Sequence, residues 1–367
     1  MKKIFALLLG LTLSISMLTG CGGKNATNEG TNEPSATAAP TATTAPAATT
    51  APQEGETAGA AKTGLAVISS IAKSENAGKA DGLGQVDSLA VAVLVGGDGK
   101  ILDCAIDSAQ TKINFSKEGK LTTDLTAPVK SKQELGPEYG MKSASGIGKE
   151  WNEQADAFAA YVIGKTADEV KGIAVNEEGV AADADLSSSV TIHVGDFIAA
   201  VEKAVANAQD LGAKSGDKLG LGISTDISKS KNADTKADGV AEAYSYYNVV
   251  TTDAEGRITS NFLDASISDV TFSTKGEITS DPTALLQTKQ ELKDAYGMKK
   301  ASKIGKEWYE QANAFSAYVT GKTLDEVKGI ALTEEGVAAD ADLVSSVTVH
   351  IGPFVNVIEK AVTNAAK

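Results

Sequence analysis

The hydrophobic pattern of this chain changes from strand-like to helix-like, and it does so twice. Ser88 to Val95 and Lys100 to Ser108 read as strands joined by a turn at Gly97-Asp98-Gly99, and a further hairpin is expected around Lys117-Glu118-Gly119-Lys120. Ile147, Trp151, Ala155, Phe158 and Val162 fall at helical spacing and predict an amphipathic helix with those side chains inward. Thr166-Ala-Asp-Glu169 is a capping-box pattern opening a second, short helix through Ile173. Ser187 to Val194 alternates as a strand does, and Phe197 to Ala208 is helical. Strands grouped early and helices late predict an α+β class with antiparallel pairing.

This order recurs because the sequence repeats. Lys132 to Ala174 returns as Lys289 to Ala331 with ten substitutions, no gap and a constant offset of 157 residues. The offset holds back to Lys79-Ala80-Asp81-Gly82 against Lys236-Ala237-Asp238-Gly239, and forward to the C-terminus. A repeat of that length is too long for a solenoid unit and suits a domain. The expectation is a tandem duplication with domains at 63–211 and 217–367. The N-terminal region has a different character. Met1-Lys2-Lys3 is a basic head, and Ile4 to Leu18 is an apolar run too short for a comfortable membrane span. Leu18-Thr19-Gly20-Cys21 resembles a bacterial lipoprotein signal, implying a signal peptide over 1–20 and lipidation of Cys21. Residues 21–62 are rich in Thr, Ala and Pro, contain no aromatic residue and read as a disordered tether with a reach of roughly 35 Å.

Charge and rare residues narrow the chemistry. The formal charge is −14, and residues 1–62 contribute none of it, since Lys2, Lys3, Lys24 and Lys62 cancel Glu29, Glu33, Glu54 and Glu56. An acidic folded part argues against nucleic acid and against a broad anionic membrane surface as partners. Two cysteines, one of them at the lipidation position, are too few for a disulfide framework, a haem or an iron–sulfur site. The other, Cys104, is matched by Asn261 in the second copy, so a thiol chemistry common to both is excluded. One histidine per repeat, His193 and His350, is too few for a zinc or copper site. Past the N-terminal segment, Met, Trp and His occur once per repeat at matched places: Met141 and Met298, Trp151 and Trp308, His193 and His350. Trp and Met in such positions serve core packing or a pocket wall. Tyr139-Gly140-Met141 and Tyr296-Gly297-Met298 set a ring and a thioether on a loop just before the Trp helix, an arrangement that suits a flat aromatic ligand.

Asp185-Leu-Ser-Ser188-Ser-Val-Thr191 and Asp342-Leu-Val-Ser345-Ser-Val-Thr348 share the spacing Asp-x-x-Ser-x-x-Thr ahead of a helix. This resembles the acceptor motif of covalent flavoproteins in which a flavin transferase joins FMN to a threonine through a phosphoester. Ser-Val stands here where the usual motif has Gly-Ala. The run from Glu134 to Met141, then Trp151, Phe158 and Gly164-Lys165-Thr166, is similar to the pocket loop and Trp-Phe-Gly-Lys pattern of FMN-binding domains, without their Thr-Pro-Gly-Leu-Gly. With its lipoprotein signal, the whole resembles the flavinylated electron-transfer lipoproteins of Gram-positive bacteria. The resemblance implies two FMN groups, on Thr191 and Thr348, with Asp185 and Asp342 serving recognition by the transferase and Ser188 and Ser345 belonging to the cofactor site. It implies a carrier at the outer face of the cell membrane. Its partners would be a membrane-bound quinol- or NADH-linked reductase and extracellular acceptors such as ferric iron or soluble flavins. His193 and His350, two residues past their threonines, would face the same way on a strand. Two other classes fit the same residues: a lipid-anchored solute-binding protein with an unmodified ligand in each pocket, and a surface adhesive that only projects two domains.

Overall fold

The computed structural model describes residues 59–367. The signal segment, Cys21 and most of the tether lie outside the described residues. Two three-stranded antiparallel sheets form the centre, in the orders β1-β2-β3 and β4-β5-β6. Their strands are β1 (Ala61–Ser70), β2 (Gly82–Gly96), β3 (Ile101–Phe115), β4 (Lys218–Asp226), β5 (Gly239–Thr252) and β6 (Ile258–Phe272). Among the described residues ten α-helices accompany them: α1 (Lys132–Leu135), α2 (Trp151–Val162), α3 (Ala167–Lys171), α4 (Ala184–Ser187), α5 (Gly195–Ala206), α6 (Lys289–Leu292), α7 (Trp308–Val319), α8 (Leu324–Lys328), α9 (Ala341–Val344) and α10 (Gly352–Ala365). The α+β class and antiparallel pairing match the sequence pattern.

Each sheet buries both faces. Outward, it carries the helices of its own half, whose inward stripe is the expected one: Trp151, Ala155, Phe158 and Val162 are all buried. Helix α10 lies so close to β4 that a Cβ at Gly220 would stand 2.0 Å from the Ala361 carbonyl oxygen, and only glycine admits that approach. Inward, the two sheets share a core of Leu65, Val67, Ala92 and Leu94 with Leu221, Ile223, Tyr247 and Val249.

The halves exchange contacts reciprocally. The Ala77 amide donates to the Gly276 carbonyl at 2.7 Å, and that of Ala233 to Gly119 at 2.8 Å. The Leu121 amide donates to Asn232 Oδ1, and that of Ile278 to Asn76 Oδ1. Lys203 pairs with Glu291 and Lys360 with Glu134, both at 2.6 Å. Between the halves the rings of Phe115 and Phe272 stack, 4.0 Å apart and 1° from parallel. Contacts that each half both gives and receives are those of a local two-fold, isologous interface.

Several expectations need correction. Ala61 and Lys62, assigned to the tether, belong to β1, where Ala61 is buried against the second half. Ile147 stands in a turn before its helix, which starts at Trp151 behind the capping box of Glu150 and Glu153. Lys117–Lys120 makes a turn, but only a single bridge, Phe115 to Leu121, follows. The α10 N-cap is Ile351. The largest change concerns Ser187 to Val194, which is not a strand. Asp183 accepts from the amides of Asp185 and Leu186 and starts the helical turn α4. The serines then bond back along it, Ser188 to the Asp185 carbonyl and Ser189 to that of Leu186. Local side-chain bonding of this kind competes with sheet pairing and wins here.

Candidate functional site

Thr191 and Thr348 follow those helical turns and are half-buried. Each is held by a glutamine from the Trp helix. Gln154 Oε1 accepts from the Thr191 amide at 2.8 Å and from its hydroxyl at 3.3 Å. Gln311 does the same for Thr348, at 2.8 and 3.2 Å. Both glutamines are fully buried, and their amide nitrogens donate to Ser145 and the Lys149 carbonyl, and to Ser302 and the Lys306 carbonyl. A glutamine on the apolar stripe of an otherwise hydrophobic helix face was the available signal, and sequence reasoning missed it.

A second missed pair fixes the Tyr-Gly-Met loop. Glu150, at the start of α2, accepts from the amides of Met141 and Lys142 at 2.8 and 3.1 Å. Glu307 accepts from those of Met298 and Lys299 at 2.8 and 2.9 Å. Both carboxylates are buried. One helix N-terminus in each half thus orients the Trp, the Tyr-Gly-Met loop and the threonine together.

In the second half these residues enclose a cavity of about 690 Å³, lined by Tyr296, Met298, Trp308, Thr348 and His350. Of the residues expected to bind cofactor in that half, these five line the cavity and Asp342 and Ser345 do not. Phe354 meets the Trp308 ring edge-on, with centres 5.7 Å apart. The lining residues that were not anticipated include Tyr244, Tyr246 and Lys289, and the charged Asp226 and Lys229. Tyr244 and Tyr246, on one face of β5, stack at 4.6 Å. Lys289 reaches in from α6 and donates to the Tyr244 hydroxyl. Burial pushes the Lys289 ammonium down to about 7, while Asp264 and Glu242 pull it upward. Burial also raises the Tyr244 phenol.

The first half keeps the frame and changes the wall. Lys132 lies 4.8 and 4.9 Å from the ring centres of Tyr139 and Trp151, and Met141 packs beside them. Asp87 stands where the second half has Tyr244, and Leu89 where it has Tyr246. Asp87 accepts from Lys73 at 2.8 Å and from Gln85 at 2.9 Å. Burial raises its carboxyl, but the bonds from Lys73, Gln110 and Gln85 outweigh that and hold it below the usual range.

In the second half Asp342 and Ser345 stay outside the cavity wall. Asp185, Asp342, Ser188 and Ser345 are exposed on α4, α9 and their C-caps. His193 and His350 are exposed and bridge back to Val180 and Val337, so the strand argument for their orientation does not apply. The His193 ring packs over the turn at Gly179, where a Cβ would lie 3.1 Å from Nδ1.

Among the described residues no helix is long and apolar enough to cross a membrane. No family model matches the chain, and no solved structure matches it. Over 42 residues, 11% of this chain, it is 52% identical to chlorophenol reductase of Desulfitobacterium hafniense, and that stretch is 13% of the matched protein.

Proposed function

We propose that the protein is a lipid-anchored electron carrier of the cell exterior, built from two copies of one FMN-binding module and bearing FMN on Thr191 and Thr348. The observation that carries this reading is the meeting of Thr348 with Tyr296, Met298, Trp308 and His350 on one cavity wall. Its volume of about 690 Å³ falls within the roughly 300–1,000 Å³ of small-molecule sites. Aromatic faces and a hydroxyl at the rim fit a planar ring joined through a phosphate. When bound, a flavin supplies reversible electron transfer, and the protein sets its access and electrostatics.

The chain's own part is presentation. Gln154 and Gln311 hold each threonine hydroxyl in place, but an amide oxygen is no base, so activation of that hydroxyl falls to an external flavin transferase. Exposed Asp185, Ser188, Asp342 and Ser345 offer that enzyme an accessible motif. Electrons would arrive from a membrane-bound quinol- or NADH-linked reductase and leave to ferric iron or soluble flavins, with Cys21 holding the protein at the membrane.

Co-expression with a flavin transferase, followed by in-gel fluorescence and peptide mass mapping, tests the proposal. Two adducts are expected, with Thr191→Ala and Thr348→Ala each removing one and the double variant none. Bare peptides at both threonines would favour an unmodified solute in the cavity and refute the covalent carrier.

A further inference from the structure

The cavity of the second half contains a buried cation with no carboxylate partner among the described residues. Lys289 is 2% exposed. Its Nζ lies 4.3, 4.5 and 5.1 Å from the ring centres of Tyr244, Tyr296 and Trp308. Its hydrogen bond goes to a phenol oxygen, that of Tyr244. Aromatic faces recover part of the cost of burying an ammonium group. An anion in the cavity would recover more. Burial lowers Lys289 to about 7 against the upward pull of Asp264 and Glu242, neither of which reaches it as a salt-bridge partner.

The first half has no such vacancy. Lys132 is half-buried and open to solvent screening. A carboxylate, Asp87, already occupies the position of Tyr244 and is paired with Lys73. The second wall also carries Asp226 and Lys229, and neither they nor Lys289 form a salt bridge among the described residues, so the two halves differ in how their charges are paired.

We propose that Lys289 reads negative charge on a planar ring held in the second half, so that this half binds the anionic form of the ring more tightly than the neutral form, while the first half does not discriminate. For the identity of the ring this rests on the flavin reading. Reduction of a flavin adds two electrons from an external reductant and one proton at a ring nitrogen, leaving one extra negative charge on the ring. Lys289 contributes its charge and forms no bond. The second half is therefore the electron sink of the pair and the first half its donor.

Unmodified full-length chain, made without a transferase, tests this with free FMN. Trp308 reports binding in a Trp151→Phe background, in an anaerobic titration near neutral pH with oxidised FMN and with dithionite-reduced FMN. Both forms carry the phosphate, so their ratio isolates the ring. The reduced form is expected to bind about tenfold tighter, equivalent to about 30 mV on a two-electron potential. Lys289→Met, checked for folding by circular dichroism, removes the preference and Lys289→Arg keeps it. Tyr244→Asp, which supplies the carboxylate of the first half, removes it by an independent route. In the reciprocal Trp308→Phe chain, Trp151 reports no preference. Equal affinities for the two forms, no binding of either, or a preference that survives Lys289→Met overturns the proposal. Because free FMN is the probe, threonines found bare by mass mapping defeat the covalent reading alone.

Discussion

The two halves share a skeleton around their threonines and differ in the residues set against it. Glu150 and Gln154 do in the first half what Glu307 and Gln311 do in the second, with hydrogen-bond lengths that agree to within a few tenths of an ångström. Opposite that skeleton the first half has Asp87 and Leu89 at the positions of Tyr244 and Tyr246. The parts that orient the threonine are tied to helix starts and to buried backbone amides, where one lost partner leaves a polar group stranded. The strand positions opposite are free to vary, because a wall residue affects only what lies in the pocket. Two copies can thus present one threonine geometry in two electrostatic settings.

The sharpest test of the shared skeleton is its core. Phe158→Ala and Phe315→Ala remove matched, fully buried rings and should each cost about 3–5 kcal/mol, read from urea midpoints. A difference well beyond measurement error between the two would break the equivalence.

The buried carboxylates sharpen it through pH. Burial raises Asp107 to about 6 and Asp264 to about 7. A carboxylic acid raised in this way holds its proton better folded than unfolded. Its stabilisation is complete below the unfolded value of about 3.9 and is lost as pH rises through the folded value. Stability should therefore fall by on the order of a few kcal/mol between pH 4 and 7, with the second half still contributing above the window of the first. Asp264→Asn is expected to flatten the upper part of the profile and Asp107→Asn only the lower. Identical profiles for the two variants would contradict that separation.

A smaller effect is expected at the threonine anchors. Gln154→Leu and Gln311→Leu leave the amides of Thr191 and Thr348 without their acceptor, at about 1–3 kcal/mol each, and should slow flavin attachment at their own threonine while sparing the other. Peptide mass mapping of each variant reads this directly.

The smallest effect is a gain. Gly136 and Lys293 adopt the same backbone conformation, φ 48°, and Lys293 is the one non-glycine residue with positive φ among the described residues. Lys293→Gly should stabilise by about 1 kcal/mol, because a side chain is strained there. No gain in urea midpoint would mean that the second half has relieved that strain elsewhere.

Much of this was legible from the chain. Helical spacing located Trp151, Ala155, Phe158 and Val162, the Thr166 to Glu169 pattern is a capping box, and matched rare residues marked the cavity wall of the second half. The segment from Ser187 to Val194 misled because serines alternating with apolar residues imitate a strand, while Asp183, just ahead of it, caps a helical turn. Lys289 was invisible for another reason. It sits beside Gln290 and Glu291 at the start of the repeat, where a lysine reads as solvated, and only the fold turns it inward against rings from β5 and α7. The outer strands β1 and β4 also escaped, since their glycines, needed where a helix crosses, dilute the strand pattern.

The core between the sheets has a consequence for any attempt to divide the protein. Cutting the chain between Gly212 and Asp217 would bare Leu65, Val67 and Leu94 on one fragment and Leu221, Ile223 and Val249 on the other. Each piece would then carry a greasy surface shaped to receive its sibling, so an isolated piece is expected to self-associate or precipitate.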